Sequence, residues 1–314
     1  MPIFSVLIPL YNKENDITKT LSSVFAQLFT DFEIVIINDG STDNSEAEVL
    51  KFTDPRIRYY KTANRGISQA RNLGIEKSQG KLIAFLDADD LWLPNHLEQL
   101  YKLYSQFPEA GLMASNYKIV HPNNYIEHTF FKGIDKTYFG IVPNIFKVSL
   151  KYRLLWTSAV AVKKEVFNIV GTFDPNINLG AAGEDTDLWI RIALNYPIAF
   201  NGAVTAQYML GAGNRVSHAQ TLKRQFAKLD KFRNEEKVNK SLQKFLDLYR
   251  ATYALRHKMA GDDSIYRYYK NNITTANLPL KTRLLLALPV FILKILYAFK
   301  QKLKRSNMHI DIYS

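Results

Sequence analysis

The stretch KLIAFLDADD, Lys81–Asp90, decides the fold. Its first half is a short, continuous apolar run, the pattern of a buried strand, and it leads directly into three carboxylates within four positions. Upstream, Ile3–Leu10 and Glu33–Ile37 have the same buried-strand character, and Arg56–Tyr60 is a weaker strand. Helix-like stretches lie between them. Asn15 or Asp16 can cap a helix whose apolar face is Ile17, Leu21, Val24 and Leu28, and Gly66–Lys77 reads as a helix closed by Gly80. Downstream, Pro94 falls in the first turn of a helix striped by Leu97, Leu100, Tyr101, Tyr104 and Phe107.

Strand–helix alternation at this spacing predicts an α/β fold: a Rossmann-like, mostly parallel sheet with helices on both faces. Ligands of such sheets bind beyond the carboxyl ends of the strands. Four polar clusters fall there, at Pro9–Glu14, Asn38–Asp43, Asn64–Arg71 and Asp87–Asp90, and predict a site for something nucleotide-like. Further on, Gly111–Val120 and Leu155–Val162 read as strands and Glu184–Leu194 as a short helix. Past residue 220 the pattern becomes helical, with Leu222, Phe226, Leu229 and Phe232 on one helix face and Leu242, Phe245 or Leu246, Tyr249 and Tyr253 on another. The expected organisation is therefore an α/β domain over 1–220 and a basic helical C-terminal region over 221–314.

The 314 residues carry 41 Lys+Arg against 29 Asp+Glu, a formal net charge of +12, and no cysteine. A hydrophobic share of 47% excludes a disordered chain, and the missing thiols exclude a disulfide scaffold and thiolate zinc sites. The surplus charge first suggests an anionic partner. Its distribution is uneven, however: 1–220 holds 21 basic and 22 acidic residues, and 221–314 holds 20 basic and 7 acidic. The α/β part lacks the basic field that nucleic acid requires, so no nucleic-acid partner is expected. The N-terminal MPIFSVLIPLYNKEN has no basic region of the kind a secretory signal carries.

Chemistry gathers in the loops. Alternation along an extended segment would point Asp87 and Asp89 the same way, as a pair able to hold Mg²⁺ or Mn²⁺ with a diphosphate completing the ligand sphere. Asp39, in the loop Asn38–Ser41, can accept a hydrogen bond from a uracil N3–H, although Asp-Gly is also ordinary turn chemistry. Arg71 can contact a diphosphate or simply face solvent. In Gly183–Arg191 (GEDTDLWIR), acidic residues at a helix start suit the helix dipole, and a carboxylate on the preceding glycine-rich loop can also serve as a general base.

VLIPLYN, VIINDGSTDNS, NRGISQARNLGI, IAFLDADD and GEDTDLWIR occur in this order, and together they resemble a family 2 glycosyltransferase of GT-A fold over about residues 3–218. The resemblance implies an inverting, metal-dependent transferase using a nucleotide-diphosphate sugar. It implies that Pro9, Tyr11 and Glu14 line the nucleotide pocket, with Tyr11 stacked on the base. Asp39 would bind uracil, Arg71 the base or diphosphate side, and Asp87 the ribose, with Ala88 beside it. Asp89 would be the metal ligand, joined by His218, for Mn²⁺ or Mg²⁺. Asp185 would be the catalytic base, and Glu184, Trp189 and Arg191 would shape the acceptor side or support the base. The QxxRW signature of processive synthases is absent, which favours adding one sugar per encounter. The acceptor class would be a glycan or lipid-linked glycan in cell-surface polysaccharide synthesis.

The apolar stretch Leu284–Phe299 is broken by Pro289 and Lys294 and falls short of the roughly 20 residues of a spanning helix. Lys281 and Arg283 precede it, and Lys300, Lys302, Lys304 and Arg305 follow. This pattern suits a helix in a bilayer interface, giving peripheral membrane contact through residues 281–305 and a cytoplasmic enzyme at the membrane's inner face. The competing reading is a core or dimer helix, which leaves an oligomer open. Among rival functions, a sugar nucleotidyltransferase would show a glycine-rich, lysine-containing N-terminal loop, and an oxidoreductase a Gly-x-Gly-x-x-Gly turn. A non-catalytic sugar-nucleotide-binding subunit would have no need of the Asp87/Asp89 and Glu184/Asp185 pairs.

Overall fold

The computed structural model describes residues 1–177, 180–213 and 220–305. The chain divides into two compact units: Met1–Val148, Tyr152–Ala219 and Gln225–Ala227 form one, and Ser149–Lys151, Gln220–Arg224 and Lys228–Ser314 the other.

The first unit opens with β1 (Phe4–Leu10), α1 (Ile17–Phe25), β2 (Phe32–Asn38), α2 (Ser45–Leu50), β3 (Ile57–Lys61), α3 (Ile67–Lys77) and β4 (Leu82–Phe85). There follow β5 (Leu91–Trp92), α4 (His96–Gln106), β6 (Leu112–Val120), β7 (Ile126–His128), β8 (Phe139–Ile141) and the one-turn α5 (Ile145–Val148). It closes with β9 (Val160–Lys163), α6 (Val166–Val170), α7 (Glu184–Asn195) and β10 (Ile198–Met209). Eight strands stand in the order β3-β2-β1-β4-β9-β6-β10-β5, with β7 paired to β6 and β8 to β10. The pairs β1–β2, β1–β4, β2–β3 and β6–β10 are parallel, and β9 runs antiparallel to both of its neighbours.

β1, β2 and β4 are buried along their whole length, which is why their sequences do not alternate: the sheet is covered on both faces. Register stacks apolar side chains in rows, with Phe4 between Phe32 and Leu82 and Leu7 between Val35 and Phe85. Each such side chain, fully buried, contributes roughly 1.5–3 kcal/mol. Ile17, Leu21 and Val24 of α1 are buried, but Leu28 lies beyond the helix end and is exposed.

Three local expectations are corrected. α3 ends at Lys77 with an extended Ser78, so Gly80 is not its cap. Gly80 instead lets β1 pass close by, since a Cβ there would sit 2.5 Å from the Ser5 nitrogen. Leu155–Val162 is not one strand but a 3-10 turn at Thr157–Ala159 followed by β9. The helix expected across Leu222–Phe232 is interrupted as well. Ala182 N–H donates to the Gln225 carbonyl and Ala227 N–H to the Ala182 carbonyl, both at 2.9 Å, and these backbone bonds exclude helical ones.

The second unit contains α8 (Arg233–Val238), α9 (Lys240–Ala260), α10 (Asp263–Asn271), α11 (Leu280–Ala287) and α12 (Val290–Arg305). α9 starts on the Asn239 side chain, which accepts from Leu242 N–H, and stops at left-handed Gly261. Buried Arg250 is neutralised by two bonds to Glu236, at 2.8 and 3.0 Å, and one to Asp247 at 3.1 Å. Leu288–Pro289 separates α11 from α12, so the apolar stretch forms two helices. The Lys258 ammonium donates to the Leu286 and Leu288 carbonyls, both at 2.7 Å, satisfying groups that the break would orphan. Among the described residues no helix is long and apolar enough to cross a membrane.

Candidate active site

The loops after β1 and β2 are joined by polar side chains. Asn12, left-handed at φ 51°, accepts from Thr42 N–H at 2.8 Å, and Lys13 N–H donates to Ser45 Oγ at 2.7 Å. Glu14 Oε2 accepts from both the backbone and side-chain nitrogens of Asn44 at 2.9 Å. Pro9 is buried within β1, while the Tyr11 ring is exposed at the loop's edge, where it can stack on a base. Asp39 is buried, and its two oxygens accept from Arg65 N–H at 2.8 Å and Gly66 N–H at 2.7 Å. Burial pushes its carboxyl up, partly offset by those bonds. Asp39 therefore anchors the start of α3 and brings the helix carrying Arg71 to the same edge.

Beyond β4 the chain turns at once: Asp90 N–H donates to the Asp87 carbonyl at 3.0 Å. The alternation expected of an extended segment ends there, and each carboxylate takes a separate partner. Asp87 accepts from Arg71 at 2.8 Å. Asp89 accepts from the Lys13 ammonium at 2.7 Å, and Lys13 also reaches the Gly213 carbonyl at 2.6 Å. Asp90 is buried and accepts from Ser158 Oγ at 2.7 Å and Met209 N–H at 3.0 Å. Burial, then the charges of Asp89 and Asp87, push its carboxyl well above the ordinary value. Ala88, also buried, accepts from Thr20 Oγ1 at 3.0 Å through its carbonyl.

Arg71 joins this turn to the second acidic motif. It is buried, its Nη1 is 3.0 Å from Glu184 Oε1, and its guanidinium lies 5.1 Å from the centroid of the Phe173 ring. Its Nε has no hydrogen-bond partner among the described residues. Burial opposes the charge, but Asp87 and Glu184 outweigh it and hold the guanidinium protonated.

Gly183, left-handed at φ 87°, starts α7 and presents Glu184 and Asp185 side by side. Burial and the charge of Asp185 push Glu184 up, against Arg71. Burial would raise Asp185 too, but Arg153 at 3.2 Å, Arg71, and the Thr186 N–H at 2.6 Å hold it below the ordinary carboxylate value. An ionised carboxylate, here with a side chain 13% exposed, can accept a proton. Trp189 is buried, its ring 5.8 Å from Phe85 and 6.0 Å from Phe173, where it supports the motif from within the core. Arg191 donates to Asp187 at 3.0 Å and to the Thr172 carbonyl at 2.7 Å. His218 lies outside the described residues.

Lys13, Asp90 and Arg153 were not singled out by the sequence reading. Lys13 stands inside a quoted motif, but its meeting with Asp89 follows from β1 and β4 being neighbours, which only the strand order reveals. Arg153 sits in a connecting segment without a local signal. For a divalent cation, no group of three or more His, Cys, Asp or Glu side chains gathers among the described residues. The donor set at the turn is thus one carboxylate, Asp89, with Asp87 tied to Arg71. It fits a hard cation only where diphosphate oxygens supply most ligands.

The profile of "Glycosyl transferase family 2" matches residues 5–164. An uncharacterised glycosyltransferase of Rickettsia bellii is 36% identical over 198 residues, covering 60% of this chain but 26% of the relative. The Escherichia coli UDP-Glc:alpha-D-GlcNAc-diphosphoundecaprenol beta-1,3-glucosyltransferase WfgD is 34% identical over 125 residues, 40% of this chain and 49% of that protein. The matched part thus spans a quarter to a half of these relatives' length. The crystal structure of S. aureus TarS 1-349 in complex with UDP-GlcNAc superposes with a TM-score of 0.58 at 19% identity, covering 85% of this chain and 90% of that one. The fold is the GT-A arrangement that the motifs implied.

Proposed function

Since the chain belongs to glycosyl transferase family 2, we propose that it moves a sugar from a UDP-sugar to a hydroxyl of a glycan or lipid-linked glycan, with inversion, in cell-surface polysaccharide synthesis. The observation that carries this reading is Arg71, which draws the acidic turn after β4 and the Glu184–Asp185 pair into one site at the carboxyl edge of the sheet. The glucosyltransferase activity of WfgD on a GlcNAc-diphosphoundecaprenol and the UDP-GlcNAc complex of TarS support the donor and acceptor classes.

In this reading Tyr11 stacks on the base, Asp39 accepts from its edge, and Asp87 faces the ribose. Asp185 takes the proton of the acceptor hydroxyl as that oxygen bonds to the anomeric carbon from the face opposite the nucleotide. The bond from that carbon to the diphosphate breaks, the electron pair leaves with UDP, and an α-linked donor gives a β-linked product. Asp89 would hold Mn²⁺ or Mg²⁺, which supplies charge neutralisation to the leaving diphosphate. Membrane contact is part of the proposal: Leu284, Phe291, Ile295 and Phe299 are exposed on α11 and α12, in a region rich in Lys and Arg, which suits an anionic bilayer interface at the cytoplasmic face.

UDP release from a panel of UDP-sugars, with and without Mn²⁺ and with and without a glycan acceptor, tests the reading. Acceptor-dependent release with a β-linked product is expected. Release that no acceptor accelerates, or an α-linked product, overturns it.

A further inference from the structure

We propose that Lys13 is a ligand of the donor's diphosphate, so that a nucleoside diphosphate docks at the acidic turn without waiting for a divalent cation. The inference rests on the transferase reading and deepens it.

Lys13 is rooted in the loop that carries Tyr11 and Glu14. Its backbone N–H donates to Ser45 Oγ at 2.7 Å, and its carbonyl accepts from Asp16 N–H and Ile17 N–H, both at 3.0 Å. Because β1 and β4 are parallel neighbours, this loop and the turn after β4 leave the sheet side by side. The side chain crosses from one to the other: its ammonium donates to Asp89 Oδ2 at 2.7 Å and to the Gly213 carbonyl at 2.6 Å. The Lys13 and Asp89 side chains are 12% and 13% exposed. An ammonium has three N–H donors, and among the described residues two of those on Lys13 have partners. The charge thus lies between the loop that would hold the base and the carboxylate that would hold the metal. A diphosphate joining the two must pass it.

The charges around this position give the contact its purpose. Asp87, Asp89, Glu184 and Asp185 make the site acidic, and the α/β part has no basic field with which to draw in a polyanion. Two cations touch the acidic turn among the described residues. Arg71 is buried and divided between Asp87 and Glu184. Lys13 meets a single carboxylate, and its second partner is a neutral carbonyl, a weaker acceptor than a charged phosphate oxygen. That partner is loosely surrounded, since a Cβ at Gly213 would meet nothing within 4 Å among the described residues. An ammonium on a flexible stem with rotatable donors can take a phosphate oxygen while it stays on Asp89. It then does two things at once: it offsets the repulsion between Asp89 and the diphosphate, and it donates a charge-assisted bond. When Asp89 is given over to a divalent cation, Lys13 keeps the phosphate oxygen.

The test uses the full chain and calorimetric binding of uridine and UDP, in EDTA and in Mn²⁺. In EDTA the wild type should bind UDP about ten-fold or more tightly than uridine. Lys13→Met should lose that difference while its uridine affinity stays near wild type, and Lys13→Arg, which keeps the charge, should retain part of it. Combining Lys13→Met with Asp89→Asn removes both charges and separates a direct bond from mere screening of Asp89: UDP binding in EDTA should stay weak. Should the single variant not fold, the double variant, free of the unpaired carboxylate, carries the same comparison. In saturating Mn²⁺ the gap between wild type and Lys13→Met should narrow. No UDP preference in wild type in EDTA, an undiminished preference in Lys13→Met, or recovery of wild-type UDP affinity in the double variant overturns the proposal. Lys13-dependent UDP binding without sugar transfer from any UDP-sugar upholds the diphosphate contact and instead removes the transferase reading.

Discussion

Arg71 Nη1 lies 3.0 Å from Glu184 Oε1, a contact that closes 113 residues of chain onto one guanidinium whose other terminal nitrogen holds Asp87. Two loops with no local reason to meet are thereby fixed to each other. Replacing Arg71 by Met leaves two carboxylates facing a buried, uncharged side chain, and should cost about 3–5 kcal/mol in denaturant unfolding. Lys should recover only part, because an ammonium does not span two carboxylates as a fork does. A loss below about 1 kcal/mol in the Met variant would show that the bridge is not holding the loops.

Asp185→Asn keeps the shape and hydrogen bonds of the α7 start but removes the proton acceptor. Transfer should fall by about 10²–10⁴-fold while UDP affinity stays near wild type. Calorimetric UDP binding and acceptor-dependent UDP release separate the two effects. Near-normal transfer in this variant refutes the base assignment.

The Lys13 ammonium rests on the carboxylate that would bind a metal, at 2.7 Å. A divalent cation entering with UDP must displace it, so Lys13→Met should tighten Mn²⁺ binding several-fold, on the order of 1 kcal/mol. Asp89→Ala should abolish the Mn²⁺ titration. Identical titrations in wild type and Asp89→Ala would place any metal elsewhere.

His96 is buried, bonds through Nδ1 to Thr205 Oγ1 at 2.7 Å, stacks on Trp92, and has no hydrogen-bond partner for Nε2 among the described residues. Burial pushes its pKa down to about 3 from an ordinary 6.5. Below pH 6.5 the unfolded chain binds a proton that the folded chain refuses. The contribution is therefore complete above about 6.5 and is lost as pH falls toward about 3, with a slope of at most about 1.4 kcal/mol per pH unit. Urea melts across this range should show that slope in wild type and a shallower one in His96→Asn.

On α12, Phe291 and Ile295 are both more than half exposed. Replacing both with Asp should abolish co-sedimentation of the full chain with vesicles rich in anionic lipid while leaving UDP-sugar turnover on a soluble acceptor within about two-fold. Sedimentation equal to wild type would end the membrane assignment.

Much of the fold was legible because local pattern and surroundings agree. Leu82–Phe85, Phe4–Leu10 and Phe32–Asn38 are apolar without alternation, and they are buried on both faces. The motif loops were placed on the correct edge for the same reason. What escaped the sequence depends on strand order or on competing hydrogen bonds. Lys13 meets Asp89 only because β4 adjoins β1. The helical spacing around Phe226 yields to backbone bonds with Ala182. Asp87 and Asp89 part ways because a turn replaces the extended chain.

The antiparallel strand β9 has a consequence for biosynthesis. It lies between β4 and β6, yet among the described residues it is the ninth of ten strands to leave the ribosome. From the emergence of residue 85 until that of residue 160, the inner edge of β4 is an unpaired row of amides and carbonyls on a nearly complete four-stranded layer. The nascent chain thus passes through a stage with its most apolar strands assembled and one flank open. Chains arrested with their ends between residues 85 and 160 should therefore aggregate more readily than the full chain.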